Sequence, residues 1–160
     1  MSISISDKEQ IYLNSLLTQY ETKRAALLPV LHFLQNKIGW LTPESEEFAA
    51  TFLELPLIKV REVISFYSLF YNKPKGKHHI QVCQSIGCHL NGCNNILKHI
   101  EKETGIIHGE VSKDGLFSLA HVECLAACDQ GPVIRVNDEY VPHITEEKFS
   151  QMIQNWKKSS

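Results

Sequence analysis

The first 82 residues of this 160-residue chain contain no cysteine, and the chain as a whole lacks an excess of positive charge and any long apolar run. Each absence excludes something. Sixteen Lys and Arg against 18 Asp and Glu give a formal charge of −2, which leaves no footprint for a nucleic-acid backbone. No stretch approaches the roughly 20 apolar residues that a bilayer requires, so no direct membrane span is expected. Residues Met1 to Asp7 lack the basic and apolar regions of a secretory signal and carry no arginine, so no targeting segment is expected. There is no G-x-G-x-x-G, no phosphate-cradling glycine loop and no serine elbow. The chain is therefore expected to bind neither NADH nor flavin itself and to supply no catalytic residue. The missing cysteines reappear in the second half. Cys83, Cys88, Cys93, Cys124 and Cys128 fall within 46 residues. An odd, clustered set fits a disulfide framework poorly. In a cytoplasmic chain, where thiols stay reduced, it points to metal or redox chemistry.

Hydrophobic spacing divides the chain in two. Residues 1–72 read as a small helical bundle. Ile11, Leu13, Leu16, Leu17 and Tyr20 recur at helical intervals, and Leu27, Leu31, Leu34 and Ile38 follow in steps of four, three and four. Gly39 is suited to end that second helix, and Pro29 sets its start near Ala26 or kinks it mildly. Thr42-Pro43-Glu44 reads as a helix start with a hydroxyl cap, and this third helix is expected to reach Leu53. Pro56 separates it from a fourth, with Leu57, Val60, Ile64 and Tyr67 on one face. These stripes read as core. The polar segment Asn72 to Lys77 reads as a hinge.

Residues 73–160 change period. His79 to Cys83 alternates as a strand, Leu90 to Thr104 reads as a helix closed by Gly105, and Leu116 to Val122 alternates again. Val133 to Val136 and Glu139 to Val141 flank Asn137-Asp138 as a hairpin. Thr145 caps a last helix with Phe149, Met152, Ile153 and Trp156 inward. The expected fold class is α+β, with an α/β second domain in the order β–α–β–β–β–α.

Two cysteine pairs stand out, Cys83-x4-Cys88 and Cys124-x3-Cys128, separated by 35 residues. Each begins at the end of an expected strand, and two such strands side by side would present both loops at one sheet edge. Structural zinc sites favour tight C-x2-C turns around one ion. Longer loops leave room for a binuclear cluster, whose two irons each take two thiolates. The spacing thus favours a 2Fe–2S cluster on Cys83, Cys88, Cys124 and Cys128 over zinc or dithiol chemistry. The small residues Gly87, Ala126, Ala127 and Gly131 would let backbone N–H groups approach sulfur, and a helix following Cys88 would aim its positive end at an anionic cluster. The loops Gln84–Gly87 and Leu125–Ala127 read as the face towards an electron donor. Glu123 and Asp129 read as solvated turn residues, and His89 is an unneeded substitute ligand. His121 reads as a satisfied sheet residue, and Cys93, in phase with Leu97 and Ile100, as core packing.

The pattern Val82-Cys83-x4-Cys88-x35-Cys124-x3-Cys128, with Ala127 before the last cysteine and Gly131-Pro132 after it, resembles the thioredoxin-like 2Fe–2S ferredoxin family. The first half resembles the helical domain that accompanies it in the small iron–sulfur subunits of respiratory complex I. The residues carrying that likeness are Lys23-Arg24-x-Ala26-Leu27-Leu28-Pro29, Gly39-Trp40-Leu41-Thr42-Pro43 and Val63-x-Ser65-Phe66-Tyr67. The resemblance covers roughly Tyr20 to Trp156. It implies a thioredoxin-like second domain and one 2Fe–2S cluster on Cys83, Cys88, Cys124 and Cys128. It further implies an electron-transfer subunit of an NADH:quinone oxidoreductase, taking one electron from the FMN of a partner. FMN and NADH would sit on that larger subunit, with other peripheral-arm subunits nearby, at the inner face of a bacterial plasma membrane. The alternatives are the equivalent subunit of an NAD-linked hydrogenase or formate dehydrogenase and, less well matched, a stand-alone ferredoxin or a zinc module.

Overall fold

A computed structural model describes residues 3–158. The chain divides into two units, one ending at Pro74 and the other beginning at Lys75.

The first unit is built from four helices. Helix α1 (Asp7–Thr18) opens with a capping box: Ser6 Oγ accepts from Glu9 N, and the Glu9 carboxylate accepts from Ser6 N at 2.8 Å. Lys37 Nζ reaches the same carboxylate at 2.6 Å, which ties α1 to α2 (Leu27–Ile38). The Lys37 ammonium, with help from Ser6, holds the Glu9 carboxyl down at about 2. Pro29 falls in the first turn of α2, where no helical N–H partner is missed, and Gly39 closes the helix at φ 95°. Thr42 Oγ1 accepts from Ser45 N at 3.2 Å to start α3 (Pro43–Leu53), and α4 (Leu57–Phe66) follows Pro56. Leu13, Leu16, Leu31, Leu34, Leu53, Val60 and Ile64 fill the core. Gln35 anchors the segment after α4, donating to Leu69 O and accepting from Tyr71 N, both at 2.8 Å.

Three residues read as core from periodicity are exposed: Ile11, Tyr20 and Tyr67. Tyr20 and Tyr67 lie beyond the last turns of α1 and α4, where helical phase no longer carries a side chain inward. Ile11 lies on α1 away from the face that buries Leu13 and Leu16.

The second unit is a four-stranded mixed sheet in the order β2-β1-β3-β4. Strands β1 (His78–Cys83) and β2 (Phe117–Val122) are parallel; β3 (Ile134–Val136) runs antiparallel to β1 and to β4 (Glu139–Val141). The alternating segment His79 through Cys83 is a strand as expected, and all five residues are buried. It is an interior strand with neighbours on both edges, so side chains of the flanking strands shield its own on either face. The buried His79 side chain is accommodated by a local partner. His79 Nδ1 shares a hydrogen bond with Ser118 Oγ at 2.8 Å, and that hydroxyl accepts from Gly76 N at 2.9 Å. A Cβ at Gly76 would lie 2.3 Å from the Phe117 carbonyl carbon, so only glycine fits this crossing. Asn137, at φ 54° in the β3–β4 turn, accepts from His79 N and donates to Lys77 O, each at 3.0 Å.

The helix expected over Leu90–Thr104 is present but starts three residues later, at Cys93, and a separate short helix precedes it. A short α5 (Ile86–Leu90) is broken from α6 (Cys93–Thr104) at Asn91–Gly92. Gly92 adopts φ 86°, and the Asn91 side chain folds back to Gly87 O at 2.7 Å. A left-handed residue cannot continue a right-handed helix, which is what the apolar periodicity across this junction conceals. The final helix, α7 (Glu146–Lys158), starts where Thr145 Oγ1 accepts from Lys148 N, and it buries Phe149 and Ile153. No described helix is long and apolar enough to cross a membrane.

Candidate metal centre

The parallel pairing of β1 and β2 positions the thiols. Cys83 and Val122 are partners in the last rung of that ladder, so both strands end at the same sheet edge. The chain leaves β1 through Gln84-Ser85 into α5, which carries Cys88. It leaves β2 through Glu123 into Cys124, then a single 3-10 turn beginning at Cys128. A third segment, Gly131 to Val133, approaches from the start of β3. A Cβ at Gly131 would stand 3.6 Å from Cys88 Sγ, and the Val133 backbone hydrogen-bonds the Cys88 thiol.

The thiols come together as two pairs. Cys83 and Cys88 are within side-chain hydrogen-bonding reach of each other, and so are Cys124 and Cys128. Cys83 also interacts electrostatically with Cys128 across the two pairs. Among the described residues, no three His, Cys, Asp or Glu side chains converge on one point as a single ion requires. Two pairs at one sheet edge match the donor set that a binuclear cluster takes, two thiolates to each iron. Burial separates the pairs: Cys83 and Cys88 are each 1% exposed, whereas Cys124 and Cys128 face solvent.

Electrostatics fit a cationic occupant. Burial pushes the Cys88 thiol up, and the nearby Cys83 thiol adds to this. The Cys128 thiol is raised chiefly by the Cys124 charge beside it. Thiolates that repel one another become stable together when a metal compensates them, with release of their protons. Backbone geometry also fits. Ala126 adopts φ 56° and its N–H donates to Cys124 Sγ at 3.3 Å, the kind of N–H···S contact that stabilises thiolate sulfur. A side-chain donor in the site, Gln84 Nε2, is buried without an acceptor among the described residues.

Other expectations need correction. The helix N-terminus lies at Cys93 instead of just after Cys88, because α5 itself holds Cys88. Leu125 is buried, so of the two loops expected to form the donor-facing surface the large exposed apolar side chain is Ile86 of Gln84–Gly87, at 72% exposure, with Leu90 one turn on along α5 at 79%. His121 is not a satisfied sheet residue. Its Nε2 is buried without a partner among the described residues, and its ring lies 4.4 Å from that of His108. His89 is exposed, with Nδ1 3.4 Å from Asn94 Nδ2. Cys93 is buried in the core beside Ile96 and Ile100, yet it is not remote from the thiol pairs. Burial raises its thiol, and the charge of Cys83 raises it further. Helical phase revealed its burial but could not reveal this neighbour, which depends on the α5–α6 break.

Comparison with known proteins identifies the family. The model of the thioredoxin-like 2Fe-2S ferredoxin family matches residues 13–157. The E subunit of the NADH-quinone oxidoreductase of Rickettsia prowazekii is 40% identical over 154 residues, covering 94% of this chain and 87% of that protein. The protein of the same name from Aquifex aeolicus is 41% identical over 140 residues, covering 88% of each. NADH-quinone oxidoreductase subunit 2 of Thermus thermophilus is 39% identical over 150 residues, covering 92% of this chain and 83% of that one. Among solved structures, an NAD+-reducing NiFe hydrogenase in its air-oxidised state matches with a TM-score of 0.71 at 19% identity over 81% of this chain. This chain spans 23% of that hydrogenase polypeptide, and at such low identity the likeness concerns the fold.

Proposed function

The chain belongs to the thioredoxin-like 2Fe–2S ferredoxin family, and from that premise we propose that it is the electron-transfer subunit of an NADH:quinone oxidoreductase. In this reading Cys83, Cys88, Cys124 and Cys128 hold one 2Fe–2S cluster. The observation that carries it is the pair of cysteine pairs at the shared end of the parallel β1–β2 ladder. The names of relatives about 40% identical over most of their length support the assignment to that oxidoreductase.

When bound, such a cluster supplies a site that takes up and releases single electrons. The chain's own residues do the rest. The buried pair Cys83 and Cys88 anchors the inner side and belongs to the same apolar cluster as Leu125 and Val133. The exposed pair Cys124 and Cys128 opens to the surface, where a partner can approach. The Ala126 N–H holds charge on Cys124, and Gly131 leaves Cys88 Sγ uncrowded. Exposed Ile86 and Leu90 lie one turn apart on α5 and give the helix that carries Cys88 an apolar outer face.

The proposed donor is FMN on a larger, NADH-binding subunit, with other peripheral-arm subunits completing the assembly at the inner face of a bacterial plasma membrane. The equivalent subunit of an NAD-linked hydrogenase or formate dehydrogenase is the alternative, favoured by the hydrogenase fold match. Purification of the native complex through this chain tests the assignment. Co-purification of an FMN-containing NADH-oxidising subunit with quinone-reductase subunits is expected. Co-purification with a nickel–iron hydrogenase or a formate-oxidising subunit would select the alternative.

A further inference from the structure

One polar side chain inside the site is not accounted for by the four proposed ligands. Gln84 directly follows Cys83, and its backbone N donates to Val122 O at 2.8 Å, extending the β1–β2 ladder by one bond. Its side chain turns into the interior. Oε1 accepts from the Cys93 thiol at 3.9 Å, while Nε2 is buried with no acceptor among the described residues. Cys93 is itself 1% exposed and interacts electrostatically with both Cys83 and Cys88. The carboxamide thus contacts the spare thiol, which in turn acts electrostatically on both members of the inner thiol pair.

A buried N–H without a partner costs about 1–3 kcal/mol, and native structures rarely leave one. The orientation of this one follows from its neighbour. A thiol donates to a carbonyl oxygen, so Oε1 turns to Cys93 and the amide nitrogen must point elsewhere. With Cys83 next in sequence and Cys93 acting on both Cys83 and Cys88, the acceptor that would satisfy it on this side of the site is sulfur. An N–H donated to cluster sulfur stabilises the more negative, reduced form and so raises the reduction potential.

Resting on the cluster assignment above, we propose that Gln84 donates its side-chain N–H to the sulfur of the centre held by Cys83 and Cys88. Cys93 is then a positioning residue that fixes the carboxamide through Oε1. This gives the fifth cysteine a role distinct from ligation and from simple packing.

The test uses the full chain loaded with iron and sulfide, with iron and acid-labile sulfide counted before each potentiometric titration monitored by EPR. Gln84→Met, which keeps size but removes the N–H, is expected to load fully. Its reduction equilibrium should shift about tenfold towards the oxidised form, 59 mV for a one-electron couple. Cys93→Ala should shift it in the same direction, whereas Cys93→Ser retains a donor to Oε1 and should keep the parent potential. A fully loaded Gln84→Met with an unchanged potential overturns the proposal. If that variant does not load, equal potentials in Cys93→Ala and Cys93→Ser overturn it instead. Absence of iron and sulfide from the parent chain would be a failure of the cluster assignment and is read separately.

Discussion

Cys83 and Val122 face each other in the last rung of the β1–β2 ladder, and this one pairing brings two cysteine loops 35 residues apart in sequence to a common edge. Parallel strands end together only when a crossover returns the chain in the same direction, and here α5 and α6 make that crossover. The thiol separation that looks long in sequence is therefore short in space.

Cys124 is the exposed first member of its pair and takes the Ala126 N–H on its sulfur. Cys124→Ser replaces a soft thiolate by a harder, more basic oxygen. The variant is expected to lose the visible and EPR signals of the cluster or to shift them strongly. Cys93→Ser, which alters no proposed ligand, should retain a full complement of iron and sulfide. Normal spectra in Cys124→Ser would remove that residue from the ligand set.

Gly76 passes over Phe117 so closely that a Cβ would sit 2.3 Å from a backbone carbon. Backbone cannot swing aside as a side chain can, so Gly76→Ala must displace the segment and weaken its bond to Ser118. A loss of about 1–3 kcal/mol is expected from the urea unfolding midpoint of the loaded chain. An unchanged midpoint would mean that the segment before β1 has room to relax.

His79 is buried, and burial, aided by Lys75 and Arg135, pushes its pKa from 6.5 down to about 4. The unfolded chain therefore takes up this proton at a higher pH than the folded one does. Stability should be fully present above about 6.5 and fall as the pH drops from there towards 4. The expected loss from this residue is about 1.4 kcal/mol by pH 5.5. His79→Gln should show a flatter dependence between pH 7.5 and 5.5 in denaturant titrations. An identical slope in the two proteins would contradict a neutral, buried His79.

The readable parts of this fold are those governed by local rules. Thr42-Pro43, Gly39, Gly105 and Thr145 announce helix ends because caps act through nearest neighbours. The cysteine spacings likewise announce two loops. What the sequence hides depends on partners far along the chain. The burial of His79 and Gln81 follows from the central place of β1 in the sheet, which alternation along one strand cannot reveal. The contact between His108 and His121 needs a loop to return across β2. The proximity of Cys93 to Gln84 depends on Gly92, whose left-handed backbone turns α6 back towards the site. A glycine between two helix-compatible stretches is the available signal for that break.

The central claim is that this chain holds a binuclear iron–sulfur centre on two cysteine pairs. Iron and acid-labile sulfide analysis of the purified, anaerobically handled chain tests it most directly. The expected result is about two irons and two sulfides per chain, with neither retained at that level once Cys83 and Cys124 are both replaced by serine. A chain that contains zinc without sulfide, or that keeps its full iron and sulfide after both replacements, would contradict the account.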